Sequence, residues 1–548
     1  MGAQAALTVL PDDAVSPRAD AGALLARLAP WFLWSAGMLL RFHPILFSGF
    51  QKTFFDLGDI RLVNFTLEHS YRWLAGYSLH AGFWDPPIYY PHLNVAAYTD
   101  LILGAAPPYW GLRAVGVEPV ASFVGWVLIV WSLNFVAAYI LMRRVYRLGE
   151  LGASLGAFLF AFGNPRSADI FHQQLAPGFF VVLALGALIV VFRNADSTVR
   201  RRRAWITVFF GAVFLQAHTA FYVLYFLCLA LLAAAGWSMV LPEYRARLLF
   251  VLRRDQWAIL AGCLLTAAAM LPWLTHYLAA ASEVGWRIYP VESVPRLPSW
   301  VLMGPGHPWY GWLQRPGGPL PQITQPHHSL GVGPLTTGLA LIGLYWARRW
   351  RSVRLMALVV GSWFVLATTF PGGFSAWHVF YEYLPGAAAI RAVGRIGMIT
   401  VLPLALGVAS FFSRLAERRR WALVTVLAVL FIAEQNHDLQ FRQRAPLREY
   451  VASLAEQLDA GCKAFLLVHR GQDPDRHVHD AAAWITLETG IPTLNGRYGN
   501  TPPEYGLIDV LIRDEADRNN VRQAMRSWVR LKGLSEPRVC WIETEGFR

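Results

Sequence analysis

The sequence is poor in charged residues and almost without lysine. Charged residues make up 15% of its 548 residues, against roughly 25% in an average soluble chain. This excludes an ordinary set of soluble domains with solvated surfaces. Lysine occurs only at Lys52, Lys463 and Lys532, so arginine supplies nearly all of the positive charge behind the formal net charge of +13. Residues 1–28 lack the basic start and the small-residue cleavage site of a secretory signal peptide, and we expect no cleaved leader there.

Cysteine is also scarce, and the four cysteines show no spacing typical of metal ligands. Cys462 and Cys540 flank two predicted strands in a segment that we expect outside the membrane, where disulfides persist. We therefore predict a disulfide between them. Cys228 and Cys263 lie within apolar runs and are expected only to pack there.

Long apolar runs are what the sequence does have, with 55% hydrophobic and 14% aromatic residues. A helix needs about 20 apolar residues to cross the roughly 30 Å of bilayer hydrocarbon. The runs therefore predict a polytopic α-helical membrane protein with about eleven spans. The expected spans lie near residues 28–48, 120–142, 149–164, 175–192, 204–219, 221–241, 257–279, 331–347, 355–371, 396–413 and 421–435.

Arginine clusters between the runs set the expected orientation. Short arginine-rich loops stay on the cytoplasmic side, so this charge reflects topology and does not indicate a nucleic-acid partner. The clusters contain Arg143, Arg144 and Arg147; Arg193 and Arg200 to Arg203; Arg245, Arg247, Arg253 and Arg254; Arg348, Arg349, Arg351 and Arg354; and Arg414 and Arg418 to Arg420. If the apolar stretch 101–117 crossed the membrane, the arginine clusters after it would lie on the outer side. Its central prolines instead favour an interfacial or re-entrant segment.

The resulting plan has three parts. Residues 1–27 form a cytoplasmic tail, and residues 28–435 form the transmembrane domain with large outer loops at 49–119 and 280–330. Residues 436–548 form a small α/β domain outside the membrane. For this domain we predict helices over 446–459 and 513–532 and strands over 463–468 and 537–543.

The first outer loop carries the most informative polar pattern. Asp59 follows Gly58 at the start of a stretch with helical spacing and is a suitable N-cap. Glu68 and Arg72 stand four residues apart on that predicted helix, where they can form an ion pair, and His69 lies alongside. The alternative is that Asp59 only caps the helix and that Glu68 and Arg72 only pair on its surface.

An aromatic, proline-rich segment follows and leads through Tyr98 to Asp100. Several acids at one membrane surface, beside aromatic rings able to stack on sugars, indicate a binding or catalytic site. A carboxylate in such a place can take the proton of an acceptor hydroxyl.

Later outer loops add further polar candidates. His172 and Gln173 lie between two predicted spans, where the simpler reading is a polar helix cap. Adjacent side chains diverge on regular backbone, so His327 and His328 make a poor metal site, and we leave the metal undetermined. A divalent cation between Asp59 or Asp100 and a phosphate remains an open alternative.

Two arginines at the outer end of a later span are candidates for binding phosphate. Arg391 and Arg395 lie in the sequence AIRAVGRIG. Guanidinium groups bind phosphate through paired hydrogen bonds, although arginines at span ends also simply reach toward water.

The order of these features resembles the GT-C glycosyltransferase superfamily: a first span, a long outer loop with an early acid, many further spans and an outer C-terminal domain. The first-loop pattern GD…LEHxYRW…PPxYYPxxNxxAYxD is similar to that of bacterial integral-membrane sugar transferases of this type. The resemblance covers about residues 28–505.

This resemblance implies inverting transfer of a sugar from a polyprenyl-phosphate donor to a glycan, lipid or protein acceptor outside the bacterial cytoplasmic membrane. It assigns the general base to Asp59, with Asp100 as a second loop acid and Glu68 as the next candidate. It assigns donor phosphate binding to Arg391 and Arg395. The residues expected at the substrate are His69, Arg72, Tyr98, His172, Gln173, His327 and His328.

Two other functions are compatible with a polytopic membrane protein. A transporter or lipid flippase would place polar residues near the middle of the bilayer on broken helices, often in repeated halves, and we find no such repeat. An envelope polysaccharide ligase or polymerase would use related lipid-phosphate chemistry with a different distribution of loops.

Overall fold

The structure is a computed structural model and is mostly helical. The residues that it describes are 21–54, 58–194, 197–285, 294–320, 328–384, 386–437, 439–459, 461–473, 477–534 and 538–547.

Every predicted span coincides with a helix. Five segments are long and apolar enough to cross a membrane by length and composition: Pro119–Val145, Gln173–Arg193, Phe221–Val240, Pro242–Val284 and Val393–Glu417. The number of crossings therefore stays a prediction. The helices at the predicted spans are α1 (Ala21–Phe47), α4 (Pro119–Ile140), α5 (Glu150–Phe162), α7 (Phe179–Arg193), α8 (Val199–Ala217), α9 (Phe221–Val240), α10 (Pro242–Val284), α11 (Pro334–Ala347), α12 (Arg351–Leu366), α14 (Gly397–Glu417) and α15 (Trp421–Glu434).

Shorter helices lie between these. They are α2 (Asp59–Leu74), α3 (Pro107–Ala114), α6 (Asn164–Ala168) and α13 (Trp377–Tyr383). The uncertain stretch 101–117 forms only a short 3-10 turn and α3, which starts at Pro107 because proline suits the first helical position. At eight residues α3 is too short to cross a bilayer.

Small residues bring the central helices together. At Gly343 of α11, an added Cβ would lie 1.9 Å from the carbonyl oxygen of Gly407 on α14, and at Gly407 it would lie 2.3 Å from that of Ala340. Gly156 of α5 faces α14 in the same way, with an added Cβ 2.6 Å from the Ala405 oxygen. Helices in a membrane gain their contact through such close backbone approach, so α14 forms the buried centre of the helical part.

The C-terminal part is a small α/β unit. Its three-stranded parallel sheet has the order β4–β3–β5, with the apolar strand β3 buried in the middle. A disulfide joins Cys462, just before β3, to Cys540 in β5. The strands are β3 (Ala464–Arg470), β4 (Leu511–Ile512) and β5 (Val539–Thr544), and the helices are α16 (Arg444–Ala455), α17 (Val478–Thr489) and α18 (Glu515–Leu531).

Segments predicted to share a side of the membrane lie together. After α1, strand β1 (Lys52–Phe54) pairs antiparallel with β2 (Phe441–Gln443), which joins the first loop to the C-terminal unit. On the opposite side, Tyr146 bonds to Ser352 at 3.1 Å, and both residues belong to predicted cytoplasmic loops. The two groups of loops thus separate to opposite ends of the helices, as the arginine pattern requires, while the identity of each side remains a prediction.

Candidate functional site

Asp59 lies between a histidine and an arginine from distant parts of the chain. Its carboxylate is 3.1 Å from Nε2 of His172 and 2.9 Å from Nη2 of Arg497. The expectation that Asp59 caps α2 is wrong, because Gly58 occupies the N-cap position and no side chain bonds there. The Asp59 carboxylate instead points from the first turn of α2 toward His172 and Arg497.

His172 extends this contact to a second carboxylate. Its Nδ1 is 3.5 Å from Oδ1 of Asp169, and the same oxygen is 3.9 Å from Nε of Arg395. Both ring nitrogens of His172 therefore face carboxylate oxygens. Asp59, Asp169, His172 and Arg395 come from α2, from the loop between α5 and α7, and from the segment before α14; we call them the acid–base cluster.

Arg395 is buried and retains unused hydrogen-bonding capacity. Its exposure is 6%, its guanidinium lies over the ring of Tyr222 at 4.8 Å, and its Nε has no hydrogen-bond partner among the described residues. A buried donor without a partner is costly, so Arg395 is suited to receive an anion. Arg391 differs, since its side chain is exposed and only its backbone N–H donates, to the hydroxyl of Tyr222.

Asp100 lies beside the acid–base cluster at the start of α9. Its Oδ1 accepts the N–H of Phe221 at 2.7 Å. Burial raises the pKa of Asp100 to about 6, although the Phe221 N–H and the charges of Arg395 and His172 act in the opposite direction. Arg395 lies over the ring of Tyr222, the residue after Phe221, so Asp100 and the cluster meet at the start of α9.

The pKa of Asp59 moves the other way. Partial burial raises it, but the hydrogen bond and charge of His172 and the charges of Arg497 and Arg395 outweigh burial and lower the pKa to about 2. Asp59 is therefore ionised throughout the physiological range, whereas Asp100 titrates near pH 6. Two neighbouring carboxylates with separated pKa values are typical of sites that move protons.

Arg497 connects the acid–base cluster to the C-terminal unit. Its second nitrogen donates to Asp480 at 2.6 Å, and burial raises the pKa of Asp480 to about 7 against the charge of Arg497. Gly58 permits the approach, since a Cβ there would lie 2.6 Å from Nη1 of Arg497. The sequence pattern did not indicate Arg497, Asp480 or the role of Asp169, because no local spacing connects them to Asp59.

Glu68 is not part of this cluster. It stands nine residues after Asp59 on α2, which is two and a half turns and hence the opposite face. Its side chain is fully buried and is bonded by Arg72 at 2.9 Å, Arg113 at 2.7 Å and the hydroxyl of Tyr109 at 2.8 Å. The predicted Glu68–Arg72 pair is present, but these donors enclose the carboxylate, so neither residue is positioned to meet a substrate.

Replacing Glu68 by Gln is expected to destabilise the fold. The change removes the fully buried charge to which the partly buried Arg72 and Arg113 both bond, and breaking a buried ion pair typically costs about 3–5 kcal/mol. The measurement is the thermal unfolding midpoint of the purified protein in detergent. Glu515→Gln is the control, because the Glu515 side chain is 72% exposed and its pair with Arg518 lies at the surface; an equal shift in both variants would contradict the structural role of Glu68.

Other predicted substrate residues make structural contacts away from the cluster. His69 is buried between Nδ1 of His80, at 2.8 Å, and the carbonyl of Phe83, at 2.9 Å, and burial lowers its pKa to about 4. The hydroxyl of Tyr98 donates to Glu283 at 2.8 Å. His69 bonds within the first loop, and Tyr98 connects that loop to the end of α10. Neither contact places its side chain beside Asp59.

Three further residues were predicted at the substrate, and the structure describes two of them. Gln173 is buried and accepts a hydrogen bond from Trp131 of α4 at 3.2 Å, which holds its loop against the helices. His328 is buried, with 5% exposure, just before residues whose carbonyls bond Asn164. His327 lies outside the described residues. Within the described part of the chain, no group of three or more His, Cys, Asp or Glu side chains is placed to hold a metal ion.

Comparisons with known proteins give a distant likeness. No protein-family model and no curated protein matches the chain. Among solved structures it is similar to the arabinofuranosyltransferase AftD from Mycobacteria, with 14% identity and a TM-score of 0.49 over 88% of this chain and 32% of that chain. It is also similar to ArnT from Cupriavidus metallidurans, with 11% identity and a TM-score of 0.41 over 87% and 90% of the two chains.

The chain thus spans about a third of the AftD chain that it matches. At these identities and TM-scores the likeness carries no conclusion about substrate or mechanism. The resemblance of this chain to the GT-C superfamily therefore rests on its first-loop pattern.

Proposed function

We propose that the protein transfers a sugar from a polyprenyl-phosphate donor to an acceptor hydroxyl at the outer face of a bacterial cytoplasmic membrane. The observation that carries this proposal is the meeting of Asp59, Asp169, His172 and Arg395 in one cluster, with Asp100 beside it. These residues supply a carboxylate able to take a proton and a buried cation able to hold a phosphate. They come from loops that we predict on the same side of the membrane.

Asp59 is the general base in this proposal. It is ionised, and its side chain is 35% exposed, so an acceptor hydroxyl can reach it. Because its pKa is low, Asp59 is a weak base. It takes the proton as the attack makes the acceptor hydroxyl more acidic. Asp100 acts in its ionised form, as the second acid of the first loop.

Arg395 holds the departing phosphate. As the sugar leaves the lipid, negative charge grows on the phosphate oxygen, and a fixed, desolvated cation stabilises that charge more than water does. The unpartnered Nε of Arg395 supports this role. The exposed Arg391 is a secondary contact at most.

The reaction is a single displacement at the anomeric carbon. The acceptor oxygen forms the new glycosidic bond while the bond from that carbon to the phosphate oxygen breaks, and the configuration inverts. The acceptor proton passes to Asp59, and the polyprenyl phosphate leaves with the electron pair beside Arg395.

A transfer assay tests the proposal. Purified protein in proteoliposomes is given a panel of polyprenyl-phosphate sugars, and glycan, lipid and protein acceptors are examined for new glycosidic bonds. We expect one donor to give a product of inverted configuration. Movement of lipid-linked sugar across the bilayer without a new bond would support the transporter, and products of many added units would support the polymerase.

The pH dependence of transfer is expected to report Asp100. Its pKa of about 6 means that the carboxylate gains a proton as the pH falls through 6, so kcat/KM should fall below that pH and level off above it. Asp59 does not titrate in this range. The measurement is a pH profile of kcat/KM for the parent protein and Asp100→Asn; we expect the variant to be slower and to lack the acidic limb, and an unchanged limb would contradict the assignment.

A further inference from the structure

A cavity of about 390 Å³ lies in the C-terminal unit, against the first loop. Its volume falls in the range of about 300–1,000 Å³ that small-molecule sites occupy. Tyrosine and histidine side chains from several segments form its wall, namely Tyr89, His469, His479, Tyr498 and Tyr505. None of these was assigned to the acid–base cluster, although Arg497 borders both.

The rings of this cavity are held in place by close packing. Tyr89 and Tyr505 meet edge to face with centroids 4.9 Å apart, and the hydroxyl of Tyr505 donates to the carbonyl of Leu494 at 2.9 Å. Gly496 admits the Tyr89 ring, since a Cβ there would lie 2.3 Å from it. The wall is therefore formed before a ligand arrives, which reduces the ordering cost of binding.

One polar group in the wall lacks a partner. His469, in β3, is 7% exposed, and its Nδ1 has no hydrogen-bond partner among the described residues. Asp509 is exposed at the mouth, where its Oδ1 already accepts the N–H of Leu511. Thr501 adds a half-exposed hydroxyl. The cavity thus has a wall of mostly buried tyrosine side chains, with separated donors and acceptors among them.

The charge of the cavity argues against an anionic ligand. Arg497 is the cation in its wall, and it already binds two carboxylates, Asp59 and Asp480. Asp509 brings a further negative charge to the mouth. A phosphate would meet these carboxylates and would have to compete with them for Arg497, whereas an uncharged polyhydroxyl ligand would meet no such repulsion.

We propose that this cavity binds a neutral saccharide, with the tyrosine side chains of the wall in contact with the sugar and His469 bonded to one of its hydroxyls. The proposal does not depend on sugar transfer, because binding alone defines it. Arg497 forms the wall shared with the acid–base cluster, so a saccharide chain seated here could extend toward Asp59.

Binding to the full-length protein in detergent tests this proposal. The probes are the methyl glycosides of glucose, galactose, mannose and arabinofuranose, and separately inorganic phosphate, followed by saturation-transfer-difference NMR and titration calorimetry. We expect saturable binding of at least one glycoside and none of phosphate. His469→Leu should weaken that binding at least fivefold, and His43→Leu, which changes an exposed histidine on α1, should leave it unchanged.

A second variant distinguishes a loss of glycoside binding from misfolding of the protein. Thr501→Val alters a half-exposed side chain and should weaken the same glycoside while the unfolding midpoint stays within about one degree of the parent. Failure of all four glycosides to bind, preferential binding of phosphate, or glycoside binding unaffected by both cavity variants would each overturn the proposal. Transfer activity enters none of these readouts, so loss of the proposed function would not produce the same result.

Discussion

Replacing Asp59 by Asn is expected to lower kcat/KM for sugar transfer by about 10²–10⁴-fold, the usual contribution of a general base. The amide keeps the shape of the side chain but takes no proton from the acceptor. It also loses the charge that faces His172, at 3.1 Å, and Arg497, at 2.9 Å. The measurement is steady-state transfer by the purified variant, with donor binding determined separately.

The control for this variant is Asp459→Asn, which makes the same chemical change at an exposed position in the C-terminal unit. It should transfer sugar at the parental rate. Donor binding by Asp59→Asn should stay within a few fold of the parent, because the proposed phosphate contact is Arg395. Parental turnover in Asp59→Asn would remove Asp59 as the base and leave Asp100 as the first-loop candidate.

Arg395→Gln and Arg391→Gln are expected to differ by about two orders of magnitude in kcat. Loss of one group that stabilises developing charge typically costs 10²–10³-fold in kcat, and Arg395 is the buried arginine of the two, at 6% exposure. Arg391 has an exposed side chain, so Arg391→Gln should change kcat by less than about threefold. The two variants remove the same charge four residues apart.

Arg395→Lys adds a test of geometry. Lysine keeps the charge but not the paired donors of a guanidinium, so we expect it to restore only part of the lost activity. Equal effects of Arg395→Gln and Arg391→Gln would contradict the phosphate-binding assignment. A fall in unfolding temperature without a change in kcat would indicate that Arg395 only stabilises the packing against Tyr222.

The apolar helices were predictable because their sequence pattern is local. Each predicted span lies in a helix, and the apolar sequence KAFLLV correctly indicated the buried strand β3. Two elements of the C-terminal unit, β4 and α17, were missed, as was the three-residue strand β2 that precedes it. Strand β4 has only two residues, and α17 follows β3 with little amphipathic pattern, so neither gave a distinctive local signal.

The candidate site was predictable only in part. The sequence selected Asp59, Asp100, His172 and Arg395, and the structure brings them together. It also predicted the ion pair of Glu68 with Arg72, since i,i+4 spacing is local, but not the burial of Glu68.

What the sequence could not supply were contacts made by tertiary packing. Arg497 is 438 residues away from Asp59, and its position depends on how the C-terminal unit packs against α2. Tyr109 and Arg113 enclose Glu68 for the same reason, since α3 packs against α2. No spacing rule connects such distant segments.

The most direct test of the central claim is a cryo-EM structure of the protein with bound polyprenyl phosphate. The claim is that the acid–base cluster is the site of transfer. It predicts the phosphate within about 2.7–3.2 Å of the Arg395 guanidinium, on the side facing His172 and Asp59. A phosphate bound at one of the arginine clusters on the opposite side of the helices, with Arg395 still stacked on Tyr222 alone, would contradict the account.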